Sequence, residues 1–93
     1  SELQFTKGKI LARIKNKTKE SITCLDLAHK LGKSMHLCEL QKIYAYLADG
    51  DIEHATISLN IAKSNIPNDS YYQKCKIEIE RLERKINQYI LPL

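Results

Sequence analysis

Apolar residues return along this chain at helical spacing, and the breaks between them divide it into five helices. Leu3, Ile10, Leu11 and Ile14, with Phe5 near the start, mark a first helix over 2–15. Gly8 in its interior weakens it by about 1 kcal/mol relative to Ala, so this helix is expected to lean on something else for its stability. Asn16-Lys17-Thr18 is a turn, because Asn tolerates the left-handed conformation nearly as well as Gly. Thr18 is the expected cap of a second helix that carries Ile22, Leu25, Ala28 and Leu31 on one face and stops at Gly32. A third helix is expected over 36–48 and a fourth over 52–64. Gly50 allows the left-handed residue that ends the third, and Pro67 cannot continue the fourth. The fifth helix opens with a capping box, Ser70-x-x-Gln73, and runs to about Leu91, just before Pro92. Its Tyr72, Cys75, Ile79, Leu82, Ile86 and Tyr89 follow 3-4-3-4-3 spacing, a single apolar seam, and Glu80 with Arg84 is an i,i+4 pair in the favourable order.

The stretch His36–Asp69 organises the rest. Ala55 and Ala62 fall on one face of its second helix, where two helix axes that cross closely need small side chains. Leu59 fills the space between them. Tyr46, Gly50, Ala55, Leu59, Ala62 and Pro67 stand where the 34-residue tetratricopeptide repeat (TPR) has an aromatic, Gly, Ala, an apolar residue, Ala and Pro, and the stretch resembles that repeat over its whole length. It departs from the pattern at Glu39, in place of the usual Trp, and at Ile43, in place of the usual Gly. Moved back by 34 residues, Gly50 falls on Asn16, Ala55 on Ser21, Leu59 on Leu25 and Ala62 on Ala28. Residues 2–33 therefore look like a degenerate earlier copy, with Phe5 at the aromatic position and Lys33 where the Pro would be. The expected fold is all-α, one domain: a short TPR-like right-handed superhelix made of a degenerate repeat (2–33), a TPR-like repeat (36–69) and a long capping helix (70–91).

Composition narrows the chemistry. The chain has 93 residues with 43% hydrophobic and 28% charged, enough for one modest core. No apolar run approaches the roughly 20 residues that span a bilayer and no signal peptide is visible, so a cytoplasmic protein without membrane insertion is expected. Cys24, Cys38 and Cys75 are three in number, widely spaced and without a C-x-x-C, which favours reduced, mostly buried thiols over a disulfide framework. No catalytic set is legible. His29, His36 and His54 lie on different helices without metal-ligand spacing, the Ser and Cys residues lie inside helices, and no G-x-S-x-G or phosphate-binding loop occurs. Asp49-Gly50-Asp51 is a helix–helix turn, since the rest of a calcium loop is missing. Neither an enzyme nor a cofactor is expected.

In TPR arrays the first helix of each hairpin lines a concave groove, and the resemblance maps that groove onto Leu3, Thr6, Ile10, Arg13 and Ile14, then Leu37, Leu40, Tyr44, Leu47 and Ala48, then Tyr71, Lys74 and Glu78. TPR domains that clamp a carboxylate place Lys and Asn at several such positions. Here Leu3, Ile10, Ile14, Leu37, Leu40, Tyr44, Leu47 and Tyr71 make an apolar surface, which soluble proteins cover with a partner. The apolar face of an amphipathic helix is the expected cover. If so short an array closes on itself, these residues are core instead. Repeat arrays generally need three or more units, so a partner that completes the core is also expected on that ground.

In size and layout the chain resembles the TPR-like chaperone of the type III secretion needle subunit. The residues behind the comparison are Leu47–Ala55 (LADGDIEHA), the apolar groove and the weak first helix around Gly8. That resemblance implies a cytoplasmic chaperone that cradles the amphipathic C-terminal helix of the needle protein and prevents premature assembly, with a small helical co-chaperone at its N-terminal helices. Members of that family tend to be longer, with a fuller third hairpin. A generic TPR adaptor for another helical partner fits the same residues. A helix-turn-helix nucleic-acid binder over Asp26–Gln41 fits Ala28, Gly32, Cys38 and the net charge of +4, but its recognition helix is loaded with Leu37, Leu40, Ile43, Tyr44, Tyr46 and Leu47, so no nucleic-acid partner is expected.

Overall fold

In the computed structural model, which describes residues 1–90, the chain is all-helical. The helices are α1 (Glu2–Leu11), α2 (Thr18–Lys30), α3 (Met35–Ala48), α4 (Ile52–Asn65) and α5 (Gln73–Ile90), with one turn of 3₁₀ helix, Ser70–Tyr72, leading into α5. Each helix packs against the next, and α1 also touches α3, as in stacked helical hairpins. The Cα envelope measures 42 × 35 × 16 Å, a slab about as thick as two helical layers.

The two hairpin turns are built alike. Asn16 has φ 75° and Gly50 has φ 76°, so the left-handed residue stands at the same place in each. The 34-residue register holds in the packing as well: Ser21 and Ala55, Leu25 and Leu59, and Ala28 and Ala62 are all buried. Helix α4 stops at Asn65 because Ile66, which precedes Pro67, is extended (φ −75°, ψ 130°).

Several local expectations are corrected. The first helix ends at Leu11 and not at 15: Arg13 and Ile14 take tighter bonds to the carbonyls three residues back, Ile10 and Leu11, which turns the chain early. Ile14 is consequently a bend residue. Thr18 does not cap α2. Lys17 holds the cap position, and the Thr18 hydroxyl instead donates to the Ala45 carbonyl of α3 at 3.1 Å. On α2 the inward face is Ser21, Cys24, Leu25 and Ala28, while Leu31 is exposed. The cap before α5 is Asp69, whose carboxylate accepts from the Tyr71 amide at 2.9 Å, in place of a Ser70 box. Glu80 and Arg84 do not come within ion-pair distance among the described residues, and Glu83 pairs with Lys63 of α4 at 2.6 Å. Position 91, the expected end of the capping helix, lies outside the described residues.

Core packing is uneven along the slab. Leu40 and Ile43 of α3, Ala55, Leu59 and Ala62 of α4, and Ile79, Leu82 and Ile86 of α5 form one buried cluster. The seam read along the fifth helix is thus the surface that closes on the second hairpin, except that Tyr89 at its end is exposed. The first hairpin is joined differently. Gly8 is buried at the crossing of α1 and α2, where an added Cβ would come within 2.7 Å of Leu25 Cγ. The Ser21 hydroxyl donates to the Gly8 carbonyl at 2.7 Å. Gly8 costs α1 helix propensity but permits this close approach, which is the support the first helix needs.

Candidate functional site

The concave surface has a floor and two walls. Helix α3 supplies the floor. It is the most enclosed helix, with His36, Cys38, Glu39, Leu40, Gln41, Ile43 and Ala45 all buried. One depression of about 350 Å³ lies between α1, α3 and the start of α5, and is lined by Phe5, Lys9, Leu37, Leu40, Gln41, Tyr71, Tyr72, Lys74, Cys75 and Glu78. A second, of about 220 Å³, continues along the same face and is lined by Ala12, Arg13, Tyr44, Leu47, Ala48, Lys85 and Tyr89.

A polar bridge separates the two. The Tyr44 hydroxyl donates to the Glu78 carboxylate and accepts from the Arg81 guanidinium at 3.2 Å. Arg13 lies over the Tyr44 ring at 4.1 Å and donates to the Gln41 side chain at 2.7 Å and to the Lys9 carbonyl at 2.9 Å. Burial, then the hydrogen bond to Glu78, pushes the Tyr44 phenol above its ordinary pKa, so it remains a donor. Three helices are tied across the groove by these side chains.

Most of the expected groove residues come together. Leu37, Tyr44 and Leu47 are half-buried on the floor, and Tyr71 is 84% exposed at the rim. Leu40 also lies on the floor, but it is only 2% exposed and belongs to the core. The structure does not bring Leu3, Ile10 and Ile14 to the groove. Leu3 and Ile10 are 79% and 58% exposed, a turn multiple apart on the side of α1 away from buried Gly8. Phe5 and Lys9 take the groove positions on α1, because the crossing at Gly8 fixes the rotation of that helix, and the expected Arg13 lines the groove from just beyond its end. The surface is therefore less apolar than the mapping implied, with Lys9 and Lys85 along it besides the expected Arg13 and Lys74.

Sequence reasoning missed Lys85 and Tyr89 as groove residues, although Lys74, Glu78, Arg81 and Lys85 repeat at four, three and four residues beside the apolar seam. It also missed His36. This residue is 5% exposed, its Nε2 has no hydrogen-bond partner, and its ring meets the edge of Tyr72 at 5.3 Å. Burial lowers its pKa.

Two of the thiols, Cys38 and Cys75, are poor nucleophiles. Burial pushes Cys38 up to about 11, and burial with the nearby Glu78 charge raises Cys75. Among the described residues no three His, Cys, Asp or Glu side chains gather as a metal site, and no helix is long and apolar enough to cross a membrane. The helix that a helix-turn-helix reading would send into a DNA groove is α3, whose polar Glu39 and Gln41 are buried; Glu39 pairs with Lys42 at 2.9 Å. Comparison with protein-family models, with curated proteins and with solved structures gives no match to this chain.

Proposed function

We propose that this chain is a protein-binding module that holds an amphipathic helix of a partner on its concave face. The observation that carries the reading is the pair of depressions over α3, floored by Leu37, Tyr44 and Leu47, divided by the Tyr44 bridge and rimmed by exposed Tyr71 and Tyr89. Exposed aromatic rims around a half-buried aliphatic floor gain energy when covered, at about 25 cal/mol per Å² less the cost of ordering the ligand. In its most specific form the partner is the amphipathic helix of a type III needle subunit. The chain then acts in the cytoplasm as a chaperone, with a small helical co-chaperone on the exposed Leu3 and Ile10 side of α1. The mechanism is sequestration, in which no bond is made or broken.

The test is direct. The purified chain is mixed with a peptide that carries the amphipathic C-terminal helix of a type III needle subunit, and mass and thermal melting are measured. A stoichiometric complex with a raised melting temperature is expected. Leu37→Asp combined with Tyr71→Ser should abolish it while the helical signal of the chain persists. Binding of unrelated amphipathic helices but not this one makes the chain an adaptor for another partner. Failure to bind any helix removes the groove reading altogether.

A further inference from the structure

The two walls of the groove carry the same charge. Lys9 on α1 and Arg13 just beyond its end stand four residues apart, and on α5, Lys74, Arg81 and Lys85 fall on one stripe, with Lys74 and Lys85 lining the depressions. Among the described residues none of these five cations is within 4.0 Å of a carboxylate, although Arg13 donates to Gln41 and Arg81 to the Tyr44 hydroxyl. The one acid on the concave lining, Glu78, is committed to the Tyr44 hydroxyl. The floor between the walls is aliphatic and aromatic.

We infer that the occupant of this groove is an acidic amphipathic helix, with an apolar stripe flanked on both sides by Asp or Glu. The inference rests on the groove reading above and adds the chemistry of the ligand. An apolar stripe seated on Leu37 and Leu47 carries its flanking positions to the α1 wall on one side and the α5 wall on the other. Acids there meet Lys9, Lys74 and Lys85, none of which has a carboxylate partner, while Lys or Arg there meets like charge. A phosphate backbone would satisfy the walls but leave the aliphatic floor without an apolar partner, so a nucleic acid fits less of the surface. The charge arrangement selects among helices that the floor alone would accept equally.

Two synthetic helical peptides with the same Leu/Ile stripe test this, one flanked by Glu and the other by Lys, each fluorescently labelled and titrated with the full chain. The Glu peptide should bind at least about tenfold tighter, and raising NaCl from about 50 to about 500 mM should weaken it by about tenfold. Lys74→Glu with Lys85→Glu, both at exposed positions, should erase the preference while leaving the helical signal unchanged. Equal binding of the two peptides overturns the inference and leaves the groove reading intact. Binding of neither overturns both. A single-stranded RNA oligomer that displaces the Glu peptide and binds more tightly also overturns it, since the walls then serve phosphate.

Discussion

The two hairpins share a register and differ in what holds them. Both turn on a left-handed residue, and both bury a small residue, a Leu and an Ala at matching positions of their second helices. The second hairpin joins α5 in a cluster that includes Leu40, Ile43, Leu59, Ile79, Leu82 and Ile86. The first buries one large aliphatic side chain, Leu25, beside Ala12, Cys24, Ala28 and Gly8, and α1 itself buries only Gly8. Its attachments to α3 include three directed polar contacts: Thr18 to the Ala45 carbonyl, Arg13 to Gln41, and Asp26 to Lys42. The Lys42 ammonium shows how that joint works. Burial pulls its pKa down, but hydrogen bonds to Asp26 and Glu39 outweigh this and leave it raised. A repeat can thus keep its geometry while exchanging apolar burial for close approach and directed hydrogen bonds.

The largest effect should come from the apolar half. Ile86→Ala, at a position 1% exposed in the cluster, should cost about 2–4 kcal/mol and lower the denaturant midpoint of the whole chain. The same asymmetry predicts that backbone amides of α1 exchange through an opening cheaper than global unfolding, and those of α4 and α5 only through the global event. Hydrogen exchange read helix by helix checks both statements. Equal protection in α1 and α5 would break the comparison.

Gly8→Ala tests the close approach in the other half. On propensity alone the change should stabilise α1 by about 1 kcal/mol. The added methyl, however, would stand 2.7 Å from Leu25 Cγ and 2.8 Å from Cδ2, and Leu25 is fully buried. Overpacking of this kind costs about 1–3 kcal/mol, so a net loss of up to about 2 kcal/mol is expected on chemical denaturation. A more stable variant would show that α1 can shift outward at no cost.

The helical hairpins, their turns and the α5 seam were legible because each depends on local signals: spacing of apolar residues, Asn16 and Gly50 at the turns, and Pro67. The repeat offset added the matched pairs Ser21/Ala55 and Leu25/Leu59. What sequence could not supply was the rotation of α1. Leu3 and Ile10 look like groove residues by analogy, but the crossing at Gly8 turns Phe5 and Lys9 inward instead. Capping was misread for a related reason. Thr18 and Ser70 are good caps in isolation, yet Thr18 is claimed by a carbonyl on another helix and Asp69 precedes Ser70 with a carboxylate that reaches the Tyr71 amide. Legibility ended where a side chain answers to a neighbour distant in sequence.

A smaller effect separates the two regions by pH. His36, packed on Tyr72 where α3 meets the turn into α5, has its pKa held below the ordinary value by burial. Its unfolded form binds protons more readily, so its contribution to stability is complete above about pH 6.5 and is lost as pH falls through the folded value. The melting temperature should therefore drop with acidification. His36→Phe, which keeps a ring against Tyr72 and removes the titration, should flatten that dependence. An unchanged slope would place the acid sensitivity elsewhere.

The smallest effect tests whether the two turns are equivalent. A residue with a Cβ pays for the left-handed conformation, and Asn pays least because its short amide can bond locally. Nothing lies within 4 Å of a Cβ built on Gly50, so a side chain there meets no neighbour and only backbone strain counts. Gly50→Asn should then cost only about 0.5 kcal/mol, and Gly50→Ala about 1 kcal/mol or more. Asn16→Gly should change stability by a few tenths of a kcal/mol, as relief of strain is offset by a looser unfolded chain. If Gly50→Asn instead cost as much as Gly50→Ala, the matching φ values of 75° and 76° would hide different demands. The second turn would then need glycine itself, and the first hairpin would be a copy in outline and not in mechanism.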